Sequence, residues 1–489
     1  MPKLLKFFLV IATGNFLSKV FFLSSDILVL YGLGVEQFGI LAFLQSLFLA
    51  FSVVAVWGND QAMISMIGRI KIRGDDIKPH VCRARWLITL RSILLIAIAW
   101  VIIYFSKLVT HWPVYGLCGL IILIEPHLIF NSAILRAVSV GRAAIAYLDG
   151  VRNFGLVVGA AWLTWGQTVW GQTIWAYDFL LYIWAFIGVV SFVRSSSIIR
   201  KEMVSFSGAV VSDEDINYVQ NIAKFSGVWS VVQISISRFT VMFSGFLFSA
   251  AQLGVIGFFM KLVVVFTFLQ TVIIQTLAAV IGGFSQKEGR DDAEKVFSLT
   301  TLFLASSVCM CILWILWGIK PIMGLFSIET NVSLAVIEFF FFAQMFNLST
   351  GVIGQYILHL GYAKNLLYIG IVGALSQLIL FWVLGLTLGV EGALLGHALT
   401  NILLVLMKNI FARKVFNIHG LRFDNLLVYV GAVIIYYLGK TIVPDASASS
   451  VIVLHITQSC IYGLVVLIAF RSNKYAIQVV RKFVSRKQG

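Results

Sequence analysis

The sequence predicts an all-α polytopic membrane protein with about fourteen transmembrane helices. Three observations carry that expectation. Hydrophobic residues make up 60% of the 489 and charged residues only 12%, with a mean hydropathy of +0.97, whereas soluble domains run to about 25% charged. Apolar windows of about 20 residues, the length that crosses a bilayer as a helix, recur along the chain. The basic residues between them alternate from one connection to the next, as a consistent span count requires.

The first six windows fall near 7–30, 37–57, 86–106, 113–135, 146–165 and 173–193. The next six fall near 225–248, 252–276, 296–318, 333–356, 366–387 and 389–411, and two more near 424–443 and 451–470. The opening "MPKLLKFFLVIATGN" begins as a secretory leader does, but its apolar run continues to Tyr31 and reads as an uncleaved span. Bases fill the even-numbered connections: "GRIKIRGDDIKPHVCRARW", "RAVSVGR", "RSSSIIRKE", "QKEGRDDAEK", "ARKVFNIHGLR" and the tail "RSNKYAIQVVRKFVSRKQG". The opposite connections hold only Lys107, Lys320 and Lys440. Both termini are therefore expected on the cytoplasmic side. Orientation accounts for the net charge of +15, and no nucleic-acid partner is expected.

The outward connections are short, so binding and chemistry are expected among the helices. A polymerase or ligase working on membrane lipids would need a larger outward loop for its catalytic residues; no enzyme activity is expected. "LGKT" (438–441) resembles the end of a phosphate loop, but Ile434 stands where that loop needs its first glycine. His359 and His397 are isolated, and Cys82, Cys118, Cys309, Cys311 and Cys460 form no C-x-x-C pair. No metal, nucleotide or other cofactor is expected.

The chain also repeats. "EQFGILAFLQSL" (36–47) and "AQLGVIGFFMKL" (251–262) align at an offset of 215, with Gln37, Gly39 and Phe43 matching Gln252, Gly254 and Phe258. A polar linker near 194–224 separates the two parts. The pattern predicts two pseudo-symmetric six-helix lobes of like orientation around a central cavity. Residues 1–222 form the first, 223–415 the second, and 416–489 carry spans 13 and 14 with a basic tail.

Charges inside the spans mark the candidate site. Lys19 lies about 20 Å along the helix from Lys6 at 1.5 Å per residue, too deep for its stem to reach the surface. A lysine at the centre of a span costs about 2.5–3.5 kcal/mol, so something must want it there. Asn15, Ser18, Lys19, Phe22 and Asp26 form one stripe of span 1. Span 7 has its own stripe in Ser226, Ser230, Gln233, Ser237 and Ser244 with Arg238 beside it; span 8 adds Lys261, Gln270, Thr271 and Gln275. The substrate-binding candidates are Lys19, Arg238, Lys261, Arg152, Asn15, Ser18, Gln233 and Ser237. Asp26 and Glu125 are the ion-coupling candidates, Glu125 because Pro126 beside it frees a backbone carbonyl in mid-helix. The alternative is that each base pairs with a carboxylate (Asp26, Glu125, Asp149, Asp178 or Glu338) and only ties helices together. For Arg152, Asp149 is the local choice.

At "YGLGVEQFGILAFLQSL" the chain resembles the Wzx-type flippases for lipid-linked oligosaccharides, of the multidrug/oligosaccharidyl-lipid/polysaccharide (MOP) exporter superfamily. "SAAQLGVIGFFMKLVVVFTFLQ" and "LGVEGALLGHALTNILL" (388–404) resemble the same family, and the likeness covers spans 1–12 in hydropathy and order. The arginine-rich first helix and Asp-Ala-Phe segment of lipid II flippases are absent. The resemblance implies a flippase that moves an undecaprenyl-pyrophosphate-linked oligosaccharide, an O-antigen or related repeat unit, by alternating access. It would act from the cytoplasmic to the outer leaflet of a bacterial inner membrane. Membrane lipids, a polysaccharide polymerase and chain-length machinery would be its partners. Lacking a nucleotide motif, it would couple to a proton or sodium gradient or to the membrane potential. A drug or metabolite antiporter of the same superfamily would carry cations and need an acidic cavity; here bases match or exceed acids.

Overall fold

The computed structural model describes residues 2–73, 78–109, 111–138, 152–165, 176–203, 213–281, 290–328, 331–359, 362–416, 422–442, 448–473 and 475. It is an all-α membrane protein. Its helices are α1 (Pro2–Val56), α2 (Asn59–Arg73), α3 (Lys78–Ser106), α4 (Trp112–Val138), α5 (152–165), α6 (Ala176–Met203) and α7 (Asp213–Leu247). They continue with α8 (Ala250–Ile281), α9 (Arg290–Leu325), α10 (Leu334–Thr350), α11 (Val352–His359), α12 (Ala363–Phe416), α13 (Phe423–Ile442) and α14 (Ala448–Ser472).

α1 and α12 each hold two expected spans, joined at one residue. In α1 the joint is Gly34 (φ 81°, ψ 172°) and in α12 it is Gly389 (φ 62°, ψ −136°). Both lie in the same tetrapeptide, "LGVE", at 33–36 and 388–391. A Cβ at either position would meet nothing within 4 Å. Glycine is therefore required by the backbone angle and not by crowding. Span 2 ends at Val56, and Trp57 and Gly58, both at positive φ, turn the chain into α2. Expected span 10 is likewise two helices, α10 and α11.

The chain divides into two compact units, Met1–Lys261 with Gln377–Ala393, and Leu262–Ser376 with Leu394–Gly489.

In the first unit α1 packs on α7, α4 and α3, and α4 packs on α6. The repeat-related segments also touch there. A Cβ on Gly39 would lie 2.1 Å from the Ala250 carbonyl oxygen and 2.6 Å from the Gly254 nitrogen; one on Gly254 would lie 2.0 Å from the Val35 oxygen. One on Gly257 would lie 3.0 Å from the Ala42 Cβ. Val35 and Ala250, Gly39 and Gly254, Ala42 and Gly257 are each 215 residues apart. Equivalent residues meeting one another is the signature of a local two-fold, and small residues let the two backbones approach.

In the second unit α13 and α14 pack on each other and on α9, and α9 packs on α10. Buried Glu338 of α10 accepts from Tyr436 Oη (2.7 Å), Tyr437 Oη (3.1 Å) and Lys440 Nζ (2.7 Å) of α13. At the other end of α13, Asp424 accepts from Asn473, which also donates to Ser298 Oγ of α9 (2.9 Å). For Glu338 the structure thus selects the helix-tying alternative.

Candidate functional site

The first unit gathers the charged candidates. Asp26 lies one turn after Phe22 on the stripe of α1, and Lys261 lies eleven residues into α8. The Lys261 ammonium donates to Asp26 Oδ2 (2.6 Å) and to Gln45 Oε1, and Gln45 Nε2 donates back to Asp26 Oδ1 (3.4 Å). The ammonium also stands 4.1 Å from the centre of the Phe22 ring. Asp26, Gln45 and Lys261 are all buried. Burial is tolerable because every charge in the triangle has a hydrogen-bonded counterpart.

The triangle is not electrically closed. Arg238 and Lys19, both half-buried, lie within electrostatic range of Lys261, and Arg238 also feels Asp26. Among the described residues Arg238 has no carboxylate at ion-pair distance, so the cluster is basic in character. Charges in mid-membrane are weakly screened, and an anion is the kind of species such a cluster attracts.

The remaining candidates separate. Gln233 and Ser237 are exposed on α7 beside Arg238, although the Ser237 hydroxyl turns back to the Ile234 carbonyl (3.3 Å). Ser18 is engaged elsewhere: Asn153 Nδ2 donates to its carbonyl (2.9 Å) and its Oγ (2.8 Å). The side chain of Asn15, and all of Asp149, lie outside the described residues. Arg152 pairs with Glu125, while its local choice, Asp149, lies outside the described residues. Its Nη1 reaches both carboxylate oxygens, at 3.0 and 2.8 Å, and Trp184 Nε1 donates to Oε1. Arg152, Asn153 and Phe154, the start of α5, fasten that helix to α4 through Glu125 and to α1 through Ser18 and Phe21.

Three participants escape a reading based on charge. Gln45 is neutral and sits inside the opening motif of span 2. Trp184 is one aromatic residue among many. Gln377, which donates to Thr240 Oγ1 (2.8 Å) and so braces α7 from α12, is 137 residues away in sequence. A lone amide in an otherwise apolar window is the signal that marks Gln45 and Gln377. Among the described residues no three His, Cys, Asp or Glu side chains gather as a metal site.

No protein-family model matches the chain, and no curated protein matches it in sequence. Solved structures do. A lipid II flippase, MurJ, in an inward closed conformation aligns with a TM-score of 0.64 over 97% of this chain and 100% of its own, at 14% identity. The chain has the fold of these transporters. An outward-facing multidrug resistance MATE family transporter of the MOP superfamily aligns at TM-score 0.56 and 12% identity, over 84% of this chain and 96% of that one. The inward-facing conformation of a MATE family transporter aligns at 0.55 and 11%, over 82% and 94%. Identities this low establish the architecture, that of MOP transporters, and not the cargo.

Proposed function

We propose that this protein is a flippase for a polyprenyl-pyrophosphate-linked oligosaccharide, carrying an O-antigen or related repeat unit to the outer leaflet by alternating access. The observation that carries the reading is the basic cluster buried in the spans: Lys261 is bonded to Asp26, and Arg238 and Lys19 lie within electrostatic range of Lys261. A pyrophosphate diester is an anion that such a cluster suits. Arg238 offers a planar fork to phosphate oxygens, while Lys19 and Lys261 act as point charges. When the linker enters, Lys261 can exchange its bond to Asp26 for one to phosphate, and Gln45 keeps Asp26 hydrogen-bonded meanwhile. A few cations suffice to replace lost hydration, and few enough remain for the ligand to leave. Gln233 and Ser237, exposed near Arg238, suit sugar hydroxyls without selecting one sugar.

The structural neighbours include multidrug resistance transporters, but a cluster this basic disfavours a cationic cargo. Ion coupling at Glu125 would require Arg152 to let go of the carboxylate, so any proton or sodium ion bound there competes with that ion pair. The reading is tested by replacing Arg238 and Lys19 with alanine in cells that depend on this protein. Export of surface glycan stops while the protein still inserts and accumulates; near-normal glycan in both variants refutes the assignment.

A further inference from the structure

α5 begins with two consecutive side chains that grip different helices. Arg152 Nη1 holds both carboxylate oxygens of Glu125 on α4, at 3.0 and 2.8 Å. Asn153 Nδ2 donates to the carbonyl oxygen (2.9 Å) and the Oγ (2.8 Å) of Ser18 on α1. Consecutive residues of a helix point about 100° apart, so one turn reaches two neighbours in this way. Phe154 adds an edge contact with Phe21, ring centres 5.4 Å apart. Asn153, Ser18 and Glu125 are all buried, where an unmade bond is not replaced by water.

Ser18 adjoins the cation cluster. Lys19 follows it directly, and in a helix the Ser18 carbonyl also receives the N–H of Phe22, whose ring centre lies 4.1 Å from the Lys261 ammonium. A side chain that enters the backbone ladder of a helix bends the turn it enters. Asn153 therefore sets the geometry of the turn that carries Lys19 and Phe22, while Glu125 fixes the residue next to Asn153. The far end of α5 is fastened to α1 separately, by Thr164 Oγ1 donating to the Leu28 carbonyl (3.2 Å).

We propose that Asn153 is a positioning residue through which the charge on Glu125 controls the cargo site. The inference rests on the functional reading above, in which Lys19 and its neighbours take the pyrophosphate. With Glu125 ionised, Arg152 is anchored to α4 and Asn153 holds the Ser18 turn in place. A cation that neutralises Glu125 removes the charge that Arg152 pairs with. The start of α5 then slackens, and Lys19 loses the placement that a phosphate needs. Cargo and cation thus oppose one another, and by linkage each weakens the other by the same factor. Electrostatics through space would act the other way, because removing a negative charge strengthens the hold on an anion.

The test is a double-mutant cycle on the purified full-length protein, with inorganic pyrophosphate as the probe and its affinity read by calorimetry. Glu125→Gln weakens pyrophosphate binding by about fivefold or more, the lower end of couplings between sites. In an Asn153→Ala background the same change no longer weakens it; in a Thr164→Val background it still does. Arg152→Gln in place of Glu125→Gln gives a second cycle with the same pattern, so one unstable variant does not stop the measurement. Weakening that persists without Asn153, tightening on Glu125→Gln, or an equal loss of coupling in Thr164→Val each overturns the proposal. Failure of the native protein to bind pyrophosphate overturns the functional reading and this inference with it. Binding that Arg238→Ala abolishes but Glu125→Gln leaves unchanged overturns the inference alone.

Discussion

Removing Asp26 harms this protein more than removing Lys261, although the two are partners in one ion pair. The asymmetry follows from the neighbours. In the native cluster Lys261 is bonded to Asp26, and Arg238 lies within electrostatic range of both. Lys261→Met leaves Asp26 with Arg238 in range and the Gln45 amide at 3.4 Å. Asp26→Asn leaves the Lys261 ammonium buried with neutral hydrogen-bond partners and with the positive charges of Arg238 and Lys19 in range. Breaking a buried pair by removing one partner costs about 3–5 kcal/mol. Asp26→Asn should pay that full range, and Lys261→Met less than about half of it, since the surviving carboxylate keeps attractive company. The double variant removes both charges of the pair, so it should be more stable than Asp26→Asn alone. Thermal unfolding of the purified variants in detergent, followed by intrinsic fluorescence, ranks them. Adding pyrophosphate should stabilise Asp26→Asn more than the native protein, because that variant has the larger unbalanced charge. If Lys261→Met proves as damaging as Asp26→Asn, Arg238 does not compensate the carboxylate and the reasoning fails.

Other expectations follow from single contacts. Gly34→Ala should cost about 1–3 kcal/mol through backbone strain alone, since its Cβ would meet nothing within 4 Å; a variant unfolding at the native temperature would contradict this. Gly39→Val and Gly254→Val force a Cβ to about 2 Å from a carbonyl oxygen and should abolish accumulation in the membrane, whereas Gly116→Ala, with open space around it, should be neutral. Glu125→Gln removes the charge that pairs with Arg152 and one of the two oxygens that Arg152 and Trp184 share and should lower stability by about 3 kcal/mol or more, with the double variant Glu125→Gln/Arg152→Gln recovering part of the loss. Single cysteines near Lys474 and in the 165–172 connection should label from opposite sides of the membrane.

The helices were legible because each span needs a continuous apolar window, and among the described residues nine helices are long and apolar enough to cross a membrane. The repeat was legible at Gly39 and Gly254, where close backbone approach restricts the residue type. Pairings were not. Arg152 meets Glu125, 27 residues earlier and on another helix, a pairing that its own helical spacing does not announce. Helical periodicity tells which face a residue occupies but not which helix covers that face. Span 7 shows the same limit: Ser226 and Ser244 share its polar stripe, but their hydroxyls return to carbonyls of their own helix at Ile222 and Thr240. A serine in a membrane helix can satisfy itself that way, so its presence alone does not indicate a ligand.

Flipping in a defined membrane tests the central claim most directly. Two negative charges moving outward through an inside-negative potential gain about 2.3 kcal/mol each per 100 mV, or about 4–5 kcal/mol together. The fixed cations move little in a rocking transporter, so most of that energy is available. In proteoliposomes carrying a polyprenyl-pyrophosphate-linked oligosaccharide, the native protein should move it across the bilayer, faster when an inside-negative potential is imposed, and Arg238→Ala should not. Flipping no faster than in protein-free vesicles, or undiminished in the alanine variant, would contradict the account.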